Sequence, residues 1–347
     1  MAQTYDYIVG SYGEETEDTI HWLSFNAKEN KFKQVSATNG IMNPSFVTVD
    51  HNDQYVFAVS ELVEGEVVSY KINHETKTLT ELSRQPTLGG PCFVEVMPNN
   101  KFLLTANFAN GSIVVHPIKN GVLDAYTDYE NYMKEAEQLD QDASHVHAIR
   151  HIPETDLFIA TDLGLNRLCF YHITDQGEIK KVNDVTLPDH SGPRHIDFHP
   201  DKKIIYVVNE FNSTVCIYSY NEKATKIELK QVIRTIDKGF EGDNYGADIH
   251  VTSSGEYVLV SNRGHHSITS YLVEDDGRLK EVDNYKLQGE WPRNFTIIPN
   301  DEYVLVANEH SDSIEVLTLT AKGNLIKTDN IQTIQKPVCL QVLNARK

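Results

Sequence analysis

The sequence of 347 residues has few cysteines, no long apolar run and few basic side chains. None of the four cysteines, Cys92, Cys169, Cys216 and Cys339, stands at CxxC spacing, so neither disulfides nor a zinc knuckle are expected. No stretch approaches the roughly 18 consecutive apolar residues of a membrane span. Residues 1–10 show no basic cluster followed by an apolar core. We therefore expect a cytoplasmic protein.

Positive charge is scarce, because 31 Lys and Arg stand against 50 Asp and Glu and give a formal net charge of −19. Such a chain repels phosphate backbones and anionic lipid, so neither nucleic acid nor a membrane is expected as a partner. The sequence also lacks a GxSxG elbow, a P-loop and a GxGxxG loop. A serine hydrolase or a nucleotide-dependent enzyme is therefore not indicated, and no cofactor is expected.

One pattern recurs seven times: a proline or small residue, an alternating run, a polar turn, and an apolar run ending in Asn or Glu. Examples are PSFVTVDHNDQYVFAVSE from Pro44, PRHIDFHPDKKIIYVVNE from Pro193 and PRNFTIIPNDEYVLVANE from Pro292. The period of about 49 residues holds four short runs rich in Val, Ile, Tyr and Phe, which is typical of a four-stranded antiparallel propeller blade. The positions taken as equivalent are Phe46, Phe93, His147, His195, His250, Asn294 and Cys339.

The two ends of the chain predict how the array closes. The last repeat, from Pro337, contains only a first strand, whereas residues 5–36 supply second, third and fourth strands. Sharing one blade between about 5–36 and 337–344 removes the free sheet edges of an open array. The sequence therefore predicts an all-β fold, a seven-bladed β-propeller forming a single domain over residues 1–347.

One polar insertion interrupts the repeats at residues 124–146, and its segment MKEAEQL could form one or two helical turns. It could be a solvated loop or a lid over a site. Both interpretations remain open from the sequence.

Polar residues recur where first strands begin and second strands end, and these two points lie at the same end of an antiparallel hairpin. The spacing is 14 residues from Phe93 to Asn107, from His195 to Asn209 and from Asn294 to Asn308, but 15 from His147 to Asp162 and 12 from His250 to Asn262. If first strands line the channel, one mouth gathers His145, His147, Arg194, His195, Asn209, Glu210, Asp248, His250, Asn262, Arg263, Arg293, Asn294 and Glu309.

The arginines in this set favour binding of an anion, because a guanidinium group matches the oxygens of phosphate or carboxylate. Glu210 and His147 could accept or relay a proton, which suits water attack on an ester or lactone. The histidines could equally be structural. So could the asparagines, because Asn at a hairpin end often satisfies backbone groups near the turn. His145 and His147 could both face a metal, but no third ligand is evident, so no metal site is predicted.

At these motifs the sequence resembles the lactonase family of seven-bladed propellers, which includes bacterial 6-phosphogluconolactonase and fungal carboxymuconate cycloisomerase. The stretches that carry the resemblance are SHVHAI, GPRHIDFHPD followed by VVNE, ADIHVTSSGEYVLVSNRGHHSI, and WPRNFTIIPNDEYVLVANE. Two positions depart from the family pattern, since Phe93 stands where His is expected and the first hairpin ends in Ser60-Glu61 rather than Asn-Glu. The side of the pocket formed by the first two blades could therefore differ in ligand.

The resemblance implies that the site is formed by His147, Arg194, Glu210 and Arg263 and flanked by His195, His250, Arg293 and Asn294. We expect the first four to be catalytic and the flanking residues to bind substrate, together with His145 from the same mouth. The resemblance also implies hydrolysis of a small anionic sugar lactone, 6-phospho-D-glucono-1,5-lactone of the pentose phosphate pathway. Two alternatives stay open. One is a cycloisomerase or lactonase for another carboxylated substrate, and the other is a propeller that binds a metabolite or protein without chemistry.

Overall fold

The computed structural model describes residues 4–138 and 143–343, and the chain divides into two compact units. Unit 1 is formed by Met1–His151, Asp156–Asp184 and Val338–Lys347, and unit 2 by Ile152–Thr155 and Val185–Pro337. Within the described ranges no helix is both long and apolar enough to cross a membrane. The prediction of a single domain over 1–347 stays a prediction.

Unit 1 contains four antiparallel sheets whose strands follow one another along the chain. The first three sheets contain β1 (Thr4–Ser11), β2 (Ile20–Asn26), β3 (Lys31–Thr38); β4 (Phe46–Val49), β5 (Tyr55–Ser60), β6 (Glu66–Asn73), β7 (Thr78–Pro86); and β8 (Pro91–Val96), β9 (Phe102–Asn107), β10 (Ser112–Lys119), β11 (Val122–Leu123), β12 (Asp128–Asn131). Helix α1 (Met133–Gln138) precedes the fourth sheet, β13 (Val146–His151), β14 (Leu157–Asp162), β15 (Arg167–Ile173) and β16 (Ile179–Thr186).

Unit 2 contains three further sheets of the same order. Their strands are β17 (Pro193–Phe198), β18 (Ile204–Asn209), β19 (Thr214–Tyr220), β20 (Ile227–Arg234); β21 (Tyr245–Val251), β22 (Tyr257–Arg263), β23 (Ser267–Val273), β24 (Leu279–Lys286); and β25 (Pro292–Ile297), β26 (Tyr303–Asn308), β27 (Ser313–Leu319), β28 (Leu325–Thr333). A 3-10 turn, Glu309–Ser311, follows β26.

The last strand, β29 (Pro337–Leu343), joins the first sheet of the chain, whose order is β29-β1-β2-β3. The C-terminal strand therefore supplies the first strand of the blade that β1 to β3 begin. This confirms the shared terminal blade over the described residues; Asn344, the last residue assigned to it from the sequence, lies outside them. The prediction of a seven-bladed β-propeller with four-stranded antiparallel blades is confirmed.

The fourth strand of a blade is much less buried than its second strand. Every residue of β18 is buried, whereas no residue of β20 is. First strands of neighbouring blades contact each other within each unit, as β17 does with β21 and β21 with β25. The apolar cores lie between adjacent sheets; one core joins Val208 and Ile217 to Val260 and Tyr271, all fully buried. Side chains at the start of first strands are therefore held by rigid backbone.

The blade formed by β8 to β12 has a divided outer strand. Both β11 and β12 pair with β10, and residues 124–127 separate them. Half of the polar insertion is thus part of the blade: Tyr132 and Ala136 are buried in its core, and Glu135 pairs with Arg167 at 2.6 Å. The helical turns expected in MKEAEQL are confirmed as α1 over 133–138, while Leu139 and residues 140–142 lie outside the described residues.

Candidate active site

Five first strands begin with a β-bulge, β8, β13, β17, β21 and β25. In β17, Pro193 pairs with Asn209 and His195 with Val208, so Arg194 is the extra residue. A bulge bends its strand and redirects side chains. Arg194 and His195 are consecutive in the sequence and yet approach each other, with 3.4 Å between Nη1 and Nε2.

The bulges also explain the irregular repeat spacing. His147 is the extra residue of β13, so Ala148 occupies the place that His195 has in β17. In β21 that place belongs to Asp248. The predicted equivalence of His250 with His195 was therefore wrong by two residues. The predicted equivalence of His147 with His195 was wrong by one residue. With these corrections, the spacing of 14 residues holds for Ala148 to Asp162 and for Asp248 to Asn262.

Two buried arginines in unit 2 share one carboxylate. Glu210 follows β18, and its backbone N–H donates to the Gly192 carbonyl at 2.8 Å. Its Oε2 accepts from Arg263 Nη2 at 2.7 Å and lies 3.1 Å from Arg194 Nε. Both contacts within the described chain use Oε2, which leaves Oε1 to accept a hydrogen bond from water or substrate.

The charges of this cluster are not balanced at Arg194. Burial lowers the pKa of Arg194 to about 9, and the positive charges of Arg263 and Arg293 contribute to this against the opposing effect of Glu210. Burial and Arg293 also lower the pKa of Arg263. Burial alone would raise the pKa of Glu210, but Arg263 and Arg194 outweigh it and the net shift is downward. Arg194 stays charged at neutral pH, and an anion from solution would relieve its burial among like charges.

Asp248 is the centre of a second buried cluster, in contact with the first. Its Oδ1 lies 2.8 Å from His195 Nδ1 and its Oδ2 lies 3.0 Å from His250 Nε2. Asn294 Nδ2 also donates to Oδ2, at 2.6 Å. Burial opposes ionisation, but the two histidines hold the pKa of Asp248 well below its usual range. Asp248 is therefore an ionised carboxylate that fixes three predicted site residues.

His195 is neutral at physiological pH. Burial, with a further contribution from Arg194, lowers its pKa to about 4 despite the contact with Asp248. Because the carboxylate can only accept, we assign the single ring proton to Nδ1. Nε2 then carries a lone pair toward Arg194 Nη1, so Asp248 orients Arg194 through His195.

Two aromatic rings border the Arg263 guanidinium. Its guanidinium carbon lies 5.9 Å from the ring centre of Tyr245 and 5.5 Å from that of Trp291. These distances are within the range of cation–π contacts. Neither ring was assigned a role from the sequence, because nothing in the period-2 pattern identifies them.

The predicted site residues fall into two groups. Unit 2 brings together Arg194, His195, Glu210, Asp248, His250, Arg263 and Asn294 by direct contact, with half-buried Arg293 near enough to act on the pKa of Arg194, Arg263 and Glu210.

His145 and His147 belong to unit 1, where both contact Phe108. The His145 ring stacks on Phe108 at 4.3 Å and donates from Nδ1 to its carbonyl at 2.8 Å. The ring of buried His147 meets Phe108 edge-on at 5.7 Å. Their place in the same site as Arg194 stays a prediction.

The repeated asparagines hydrogen-bond close to their own hairpins, and their interpretation as structural residues stays a prediction. Asn107, Asn209 and Asn262 are fully buried, and each donates from Nδ2 to a Ser or Thr hydroxyl at the start of the next strand, at 3.0, 2.8 and 3.2 Å. Asn308 is also buried and donates to the Val306 carbonyl at 3.5 Å. These side chains brace hairpins.

Among residues 4–138 and 143–343, no three His, Cys, Asp or Glu side chains are grouped to hold a metal.

Known proteins resemble this chain over nearly its whole length. The family model described as "Lactonase, 7-bladed beta-propeller" matches residues 6–342. A 6-phosphogluconolactonase of Bacillus subtilis is 28% identical over 341 residues, covering 97% of both chains. The solved structure of a periplasmic gluconolactonase of Pseudomonas aeruginosa is 25% identical, covers 99% of this chain and 100% of its own, and superposes with a TM-score of 0.92.

Proposed function

Because the chain belongs to the lactonase family of seven-bladed β-propellers, we propose that it hydrolyses 6-phospho-D-glucono-1,5-lactone to 6-phosphogluconate, a step of the pentose phosphate pathway. The family and the relatives support hydrolysis of a lactone in general. The observation that supports a phosphorylated lactone as the substrate is the cluster in which Arg194 and Arg263 share Glu210. Arg293 adds a third positive charge to this cluster.

In this proposal the arginines divide the substrate between them. Arg263 and Arg293 bind the phosphate, since guanidinium groups pair with oxyanions in a fixed geometry. Arg194 faces the carbonyl oxygen, where negative charge develops as the carbonyl carbon becomes tetrahedral. Its burial matters here, because a buried donor that is already in place stabilises that charge more than water does.

Glu210 is the base that the geometry favours. Its Oε1 would take a proton from water as the water oxygen bonds to lactone carbon 1. The bond from carbon 1 to the ring oxygen then breaks, and the ring oxygen takes up the proton to become the hydroxyl of carbon 5. A carboxylate with a lowered pKa is a weak base, so stabilisation by Arg194 has to supply the larger part of the acceleration. His147 stays the alternative base.

The test is the rate of acid release from freshly made 6-phosphogluconolactone in a pH-stat, above the spontaneous rate, with and without a chelator. Unphosphorylated gluconolactone and carboxymuconate substrates are assayed alongside. We expect preference for the phosphorylated lactone and a rise in its KM in Arg293→Ala, with no change in Arg278→Ala, a matched variant of an arginine half exposed beside Asp276. Equal turnover of the two gluconolactones would contradict the assigned substrate.

Two further results would separate the alternatives. Turnover of a carboxymuconate alone would assign a cycloisomerase. Binding of 6-phosphogluconate without turnover of any lactone would assign a non-catalytic propeller. The cytoplasmic location expected from the sequence remains part of the proposal, and fractionation of cells that produce the protein would test it.

A further inference from the structure

The residue before the first proline of a blade has a left-handed backbone in five blades. Non-glycine side chains seldom adopt this conformation, and bulky ones are outliers there. Glycine or asparagine, the residues suited to it, occupy three of the five positions. The residues and their φ values are Asn43 (48°), Gly90 (52°), Gly192 (63°), Trp291 (64°) and Lys336 (38°). Trp291 is thus a large side chain where the backbone favours none, a conflict typical of functional positions.

Trp291 is held firmly despite this backbone. Its backbone N–H donates to His266 Nδ1 at 3.1 Å, and its backbone carbonyl accepts from the Glu309 backbone N–H at 3.1 Å. His310 stacks on the indole, with 4.6 Å between ring centres and 11° between planes. Tyr245 lies 5.9 Å away at a tilt of 55°. We call Tyr245 and Trp291 the aromatic wall.

Arg263 is the group that the aromatic wall contacts. Within the described chain, Nη2 alone donates hydrogen bonds, to Glu210 at 2.7 Å and to the Gly246 carbonyl at 3.4 Å. Its Nε is buried and has no hydrogen-bond acceptor among the described residues. The electron-rich ring faces are the remaining partners for that side of the cation. A guanidinium fixed by one nitrogen could turn about that contact, and the rings restrict this rotation.

We propose that Trp291 is a positioning residue, which keeps its strained backbone because the indole holds the Arg263 guanidinium in the orientation that binds the anionic group of the substrate. This rests on the proposed function, in which Arg263 takes the phosphate. Trp291 touches no reacting atom in this scheme. It therefore sets the affinity for the anion rather than the rate of the chemical step.

The kinetic test compares Trp291→Gly, Trp291→Phe and the matched control Lys336→Gly, which relieves the same backbone conformation at an exposed residue of another blade. A cation–π contact with partly buried rings, such as Tyr245 and Trp291, corresponds to about a tenfold effect on binding. We expect Trp291→Gly to raise KM about tenfold with kcat changed less than about threefold, Trp291→Phe to lie between it and the wild type, and Lys336→Gly to match the wild type.

A second readout does not depend on turnover: calorimetric titration with 6-phosphogluconate and, separately, with inorganic phosphate. The dissociation constants should rise in the order wild type, Trp291→Phe, Trp291→Gly. The chain has two tryptophans, and the other, Trp22, is buried in unit 1. The indole emission of the wild type should therefore respond to 6-phosphogluconate, and this response should be absent in Trp291→Phe.

The outcomes separate the two proposals. Lactone turnover with a KM in Trp291→Gly within twofold of the wild type overturns the role of Trp291 alone. Equal losses of kcat in both Trp291 variants, together with a lower Tm, would show a merely structural residue and overturn it as well. If no lactone is turned over but the dissociation constants rise in the expected order, the proposed function fails and the inference stands. If the wild type binds neither anion, both fail.

Discussion

Glu210→Gln removes the negative charge that Arg194 and Arg263 share, while keeping the size of the side chain and an acceptor oxygen. At an effective dielectric constant of about 20, unit charges at the observed 3.1 and 2.7 Å attract by about 5 and about 6 kcal/mol. Desolvation of the carboxylate offsets part of this. Removing one partner of a buried ion pair costs about 3–5 kcal/mol of folding free energy. Because the glutamine keeps an acceptor oxygen, we expect a loss at the lower end of this range, about 3 kcal/mol.

This loss converts to a small but measurable change in melting temperature. With about 2.1 cal/mol/K of unfolding entropy per residue, 347 residues give a Tm lower by about 4 °C. Scanning calorimetry measures it, with the exposed Glu228→Gln as the control that should melt with the wild type. Because the two arginines then lack their carboxylate, added phosphate should raise the Tm of Glu210→Gln more than that of the wild type.

Lactone turnover by Glu210→Gln should fall together with its stability, because the variant also lacks the proposed base. A melting temperature within about 1 °C of the wild type, with no extra stabilisation by phosphate, would refute the shared ion pair. An unchanged kcat in a variant that does show the lower Tm would leave the ion pair in place and remove Glu210 as the base, in favour of His147.

Three further predictions concern Arg194 and the Asp248 cluster that contacts it through His195. Arg194→Ala should lower kcat on the lactone by about 10²–10³, as expected for loss of an oxyanion donor, and unchanged turnover would remove it from the mechanism. Asp248→Asn places an amide among donors from His195, His250 and Asn294. The free energy of unfolding of this variant, measured in urea, should therefore be lower by at least about 2 kcal/mol. Equal urea midpoints for the variant and the wild type would contradict the role of Asp248 as the shared acceptor. The lowered pKa of His195 means that the unfolded chain binds a proton which the folded site does not, between pH 6.5 and about 4. Wild-type stability should therefore fall by up to about 3 kcal/mol as pH drops through this window, and His195→Asn should flatten the fall.

The repeats allowed the fold to be predicted because each blade buries the same strands in the same order. A proline, a turn and an apolar run recur wherever a sheet is built, and the chain ends with a first strand that β1 to β3 lack. The divided outer strand of the third sheet could not be predicted in this way. Its edge is only partly buried, and the polar segment DYEN of β12 has no alternating apolar pattern.

The residues that gather in unit 2 were predicted by type but not by their position within the strand. The period-2 alternation makes no allowance for an extra residue, so it could not show that Arg194 and His195 enter one cluster. Asp248 was gathered at the mouth without a role, although its distance of 14 residues from Asn262 marks it as the equivalent of His195. Trp291 was given no role from the sequence, because the period-2 pattern does not show the backbone angle on which its proposed role rests.

The pairing of β29 with β1 has a consequence for biosynthesis. The sheet that β1 to β3 begin lacks its remaining strand, β29, until residues 337–343 have been translated. Until then β1 offers an open row of backbone donors and acceptors, which is a template for pairing with another nascent chain. We therefore expect a chain that lacks residues 337–343 to leave this edge of β1 unpaired and to aggregate more readily during synthesis than the full chain.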